Sequence, residues 1–73
     1  MKTFTVEVGT YERGWIERVR ATDATEAYSV ALGKARKNPK WSEKKHCVVQ
    51  IKDSVSQRIY YDYMNGFDIY SQE

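Results

Sequence analysis

His46 and Cys47 are neighbours, and each is the only residue of its kind in a chain of 73. A zinc centre needs several Cys or His ligands at defined spacing, and a nucleophilic thiol needs a base or cation held against it. Successive residues of a strand point to opposite faces, so this pair cannot converge on one metal or one reacting atom. Asp62 and Asp68 flank Asn65-Gly66. On an open hairpin such carboxylates are expected to be solvated rather than poised as acid and base. Gly9, Gly14, Gly33 and Gly66 are too scattered to cradle a phosphate. These residues predict a protein that is not an enzyme, with no catalytic group, metal or cofactor. Cys47 reads as a small buried hydrophobe beside Val48 and Val49.

Charge offers a different chemistry. Twelve Lys and Arg stand against ten Asp and Glu, a formal charge of +2 that names no partner by itself. The distribution says more: Lys34, Arg36, Lys37, Lys40, Lys44 and Lys45 lie close together, with only Glu43 opposing them and Trp41 among them. Cations bind phosphates by counterion release, and an interleaved ring can stack a base. Arg18 and Arg20, with Lys52, Arg58 and Tyr60, are expected to join that set on an open sheet face. The plainer reading is a solvated helix end followed by a lysine-bearing loop.

The elements that position these residues follow from periodicity. Phe4, Val6 and Val8 alternate with polar residues, as do Trp15, Val19 and Ala21, which predicts two half-buried strands. Glu17 falls on the inner face of the second and is expected at the sheet margin or on a bulge. The one helix spans the segment from Asp23 to Lys37. Asp23 is its N-cap, Glu26 completes a capping box, and Ala24, Ala27, Tyr28, Ala31 and Ala35 form its apolar stripe. Asn38-Pro39 ends it. Gly33 is read as a site of close packing on the sheet. "HCVVQIK" predicts a third strand with Cys47, Val49 and Ile51 inward, and "RIYYDYM" a fourth.

Asn65-Gly66 then suits a two-residue type I′ hairpin leading to a short fifth strand, "FDIY". Strict alternation around that turn puts Ile59, Tyr61, Tyr63 and Tyr70 on one face, and Tyr60, Met64, Phe67 and Ile69 on the other. Both faces are apolar, and one helix covers one of them. The surplus face predicts either a docking surface or tyrosine armour with solvated hydroxyls.

The segment "FTVEV…RVRATDATEA" resembles the opening of small β-β-α-β-β proteins encoded by phages and mobile elements. Several of those bind and block host factors, including bacterial defence complexes. The resemblance implies a protein inhibitor without naming a target, and carries over no functional residue.

The expected fold is therefore α+β, a single domain over residues 1–73. It is a two-layer β-β-α-β-β sandwich, with one helix packed on one face of an antiparallel sheet. The expected function is binding of a protein partner through Tyr60, Phe67, Ile69 and Trp41, with Lys44 and Lys45 at the rim. A second copy of the chain is the variant partner. The alternative is nucleic acid, held by Lys34, Arg36, Lys37, Lys40, Lys44 and Lys45 with Arg18 and Arg20. One cysteine permits no intramolecular disulfide. No apolar run reaches the length of a membrane span. Together these place the expected site of action in a reducing cytoplasm, away from membranes.

Overall fold

Strand pairing begins at the alternating segment Lys2–Gly9, β1, which pairs antiparallel with β2 (Gly14–Ala21) on one side and β3 (Cys47–Asp53) on the other. β4 (Ile59–Asp62) pairs with β3, so the order across the sheet is β2-β1-β3-β4. The computed structural model describes residues 1–10 and 13–66. The predicted fifth strand, with Phe67, Ile69 and Tyr70, lies outside them, as does Asp68.

Both β2 and β3 run against β1 and hence parallel to each other. Joining parallel strands requires a crossover, supplied by α1 (Ala24–Arg36) and the loop after it. The β-β-α-β-β order is as the periodicity predicts. Asp23 caps α1, accepting from Glu26 N at 2.8 Å, and Glu26 Oε1 in turn accepts from Thr22 N at 3.0 Å. Ala24, Ala27, Ala31 and Ala35 are all buried. Their lack of side-chain bulk lets the helix lie close on the sheet, where Phe4, Val6, Val8, Val19, Ala21, Val48 and Ile51 complete the core. Gly33 has a different role from the one expected. A Cβ there would meet nothing within 4 Å, so this glycine faces solvent rather than the sheet.

Two bulges overturn the strict alternation expected of β3 and β4. Glu7 pairs with Gln50 but Val8 with Val48, so Val49 is the extra residue. Ile51 is buried as expected, but Val48 joins it in the core in place of Cys47 and Val49, which are half-buried. Cys47 is half-buried, with Sγ 3.8 Å from Gly9 O. In β4, Tyr61 pairs with Ile51 and Ile59 with Lys52, leaving Tyr60 in the second bulge. Tyr60 and Tyr61 therefore both pack against the core. The ring of Tyr60 meets Phe4 edge-on at 5.9 Å, and that of Tyr61 meets Tyr28 at 5.6 Å. The sequence asks one helix to cover two apolar faces; a bulge solves this by sending two consecutive tyrosines the same way.

The turn after β4 is also not the predicted one. A type I′ turn needs positive φ at both central residues. Gly66 has φ 69°, but Asn65 does not share that conformation. Asp62 organises the segment instead. It is only 7% exposed, and it accepts from Asn65 N at 3.2 Å, Asn65 Nδ2 at 2.9 Å and Gln50 Nε2 at 3.2 Å. The expectation of a solvated Asp62 is thereby corrected. At the β1–β2 hairpin, Gly9 has φ 141° and lies against Arg13 O and Gly14 Cα, closer than any Cβ could tolerate.

Candidate binding surfaces of the sheet

Trp41 is anchored rather than presented. Its indole N–H donates to Glu43 Oε1 at 2.8 Å, and the same carboxylate takes the guanidinium of Arg36. Its ring lies edge-on to Trp15 at 6.4 Å and tilted over His46 at 5.6 Å. His46 Nδ1 accepts from Ser42 N at 2.8 Å, closing the loop beneath it. Trp15 in turn donates to Glu17 Oε2 at 2.7 Å. β2 is an edge strand, so Glu17 does sit at the sheet margin, as its place in the pattern predicts. These rings cover one end of the core and leave Trp41 poorly placed to stack a base. Arg36, first its hydrogen-bond partner and then Trp41, holds the Glu43 carboxyl below the ordinary carboxylate range.

The basic segment is dispersed. Lys34 reaches back to Arg18 O at 3.4 Å, Lys37 caps the helix end, and Arg36 is neutralised by Glu43. Lys40 borders a separate depression of 680 Å³, with Arg13, Trp15 and His46. Lys44 and Lys45 border another, of 320 Å³, whose lining includes His46, Val49, Tyr63 and Met64. Of the expected partner contacts, Tyr60 is turned into the core with the Arg58 guanidinium 4.9 Å above its ring, and Phe67 and Ile69 lie outside the described residues.

An apolar surface does exist, built from other side chains. Val49 and Met64 line both the Lys44–Lys45 depression and an adjoining one of 500 Å³, which continues past Glu7 to Ile16 and Arg13. Ile16 is 55% exposed, Tyr63 54% and Met64 55%. The bulge at Val49 moves that valine out of the core, and a bond from Tyr63 N to Val49 O at 2.9 Å holds the tyrosine beside it. Ile16 could have been found from sequence, as the one isoleucine in an outward row of arginines. Tyr63 could not, because its placement follows from the bulges.

Beyond the groove the open face carries three cations, with Ile59 opposite Lys52 at its β4 margin. Arg18, Thr5 and Lys52 occupy one row across β2, β1 and β3, and Arg20 stands opposite Thr3 in the next row. Among the described residues, no three Asp, Glu, Cys or His side chains come together as metal ligands, and no helix is long and apolar enough to cross a membrane. Comparison of the chain with family models, curated proteins and solved structures returned no match.

Proposed function

We propose that this chain is a non-enzymatic binding module that acts by occupying the surface of a protein partner. The observation that carries this reading is the pair of adjoining depressions that share Val49 and Met64, one reaching Ile16 and Arg13 and the other Tyr63, Lys44 and Lys45, with Ile16, Tyr63 and Met64 each more than half exposed. Exposed apolar side chains gathered in a groove mark interaction sites. Methionine and tyrosine are well suited to the work: one adapts its shape, and the other pairs a rigid ring with a polar tip. The rim selects a partner whose apolar projection is surrounded by carboxylates. The resemblance of the first half to phage-encoded proteins gives the activity its proposed form, inhibition of a bacterial host or defence factor in the cytoplasm.

The test is affinity capture from bacterial lysate with the wild-type chain and with a Tyr63→Ser/Met64→Ser variant. The module reading expects a defined partner retained by the first and lost by the second, with both chains folded. Equal capture by the two would remove the groove from the mechanism. A stable homodimer lost in the same variant would identify a second copy as the partner.

A further inference from the structure

The cationic rows of the open face lie beyond that groove and are independent of it. Arg18, Thr5 and Lys52 are consecutive neighbours across three strands, and strands in a sheet lie about 4.8 Å apart. Arg20 is two residues from Arg18 along β2, roughly 6.8 Å away on the same face. Thr5 Oγ1 and Ser54 Oγ are 2.7 Å apart. Only one proton occupies that contact, so the hydroxyl pair keeps a second O–H able to donate outward.

Two further observations define what such a surface takes. First, its charge is not cancelled by contact: among the described residues the one ion pair is Arg36–Glu43. Glu17, Asp23, Glu26, Asp53 and Asp62 are instead engaged by indole, amide or backbone N–H groups. Glu7, the acidic side chain of the open face, stands in the next row opposite Ile16 and lines the apolar groove. Second, no described aromatic ring belongs to these rows, because the bulge in β4 has moved Tyr60 to the core. Binders of single strands rely on rings that stack bases. Cations and hydroxyls without rings fit the backbone of a duplex, where contacts fix position and carry no sequence information.

We infer that Arg18, Arg20 and Lys52, with the Thr5–Ser54 hydroxyl pair, form a phosphate-gripping face for duplex nucleic acid, bound without regard to sequence. Three neutralised phosphates give a slope of log K against log salt of about −2.7, so affinity falls about 40-fold between 50 and 200 mM salt.

The test is fluorescence anisotropy of a labelled 16-base-pair duplex with the full chain. Arg18→Gln/Lys52→Gln is compared with Lys40→Gln/Lys45→Gln, which removes the same charge from outside the face, and thermal melts confirm that both are folded. The expected result is a loss of at least 10-fold and a slope near −0.9 for the first variant, with less than a 3-fold change for the second. The exposed single substitution Arg20→Gln, expected to lower the slope by about 0.9, serves if the double variant does not fold. Equal losses in the two double variants would overturn the inference, as would tighter binding of the matching single strand or no binding at 50 mM salt. Displacement by polyglutamate as effective as by unlabelled duplex would assign the face to an acidic protein instead. None of these readouts uses Tyr63 or Met64, so the groove and the cationic face stand or fall separately.

Discussion

Replacing Asp62 with asparagine removes a charge that three donors converge on. The Asn65 side-chain amide, opposed by desolvation and assisted by Gln50 and by backbone N–H groups, holds this carboxyl below its usual range. Asp53 is lowered too, chiefly by the backbone N–H groups of Ser56 and Val55. A depressed folded-state value means that the stabilisation is full above the unfolded carboxyl's pKa, about 3.9, and is lost as pH falls through the lower folded value. Asp62→Asn is therefore expected to melt below wild type at neutral pH, with the gap closing in acid. Thermal melts from about pH 7 to about pH 2 measure this. A gap that persists unchanged at the lowest pH would mean that the charge contributes nothing. Glu43 gives an optical readout: Glu43→Ala frees both the Trp41 indole and Arg36. Acrylamide quenching of tryptophan fluorescence is expected to rise.

At the scale of elements, the helix carries two opposite predictions two residues apart, on opposite sides of its axis. Gly33 faces open space, so Gly33→Ala is expected to stabilise the chain by roughly 0.5–1 kcal/mol in denaturant titration. Ala31 is wholly buried, and Ala31→Leu is expected to cost about 1–3 kcal/mol by overpacking. Helix, caps and strands were legible from sequence, because periodicity and capping are local properties. The bulges were not. Both fall at a doublet of like residues, Val48-Val49 and Tyr60-Tyr61, where either member can serve the core and alternation loses its meaning. That ambiguity moved Tyr60 out of the expected site and brought Val49 into the actual groove. The Asn-Gly pair misled for a related reason: the Asp62 carboxylate, supplied from the strand, sets the turn that the dipeptide alone suggests differently.

For the whole molecule, one face of the sheet is closed by a helix and the other is divided between an apolar end and a cationic middle. The partners proposed for these two halves are expected to differ in their sensitivity to salt. Capture through the groove is expected to change little between 50 and 300 mM salt except for the contribution of the Lys44–Lys45 rim, whereas the cationic rows lose their ligand steeply. Eluting one affinity column along a salt gradient would separate the two classes of partner. Their co-elution as a single peak would instead indicate one partner spanning both halves.

The placement of β1 between one strand that follows it immediately and another that follows much later has a consequence for biosynthesis. β2 follows it at once, but its other neighbour is complete only at Asp53, 44 residues after Gly9. At 5–20 residues per second the ribosome takes roughly 2–9 s to deliver that segment. Throughout this interval the nascent hairpin carries Phe4, Val6 and Val8 on a strand with one unpaired backbone edge, a template for stray strand addition. Slower translation of residues 10–53 should therefore raise the insoluble fraction, and supplying a holdase chaperone should lower it.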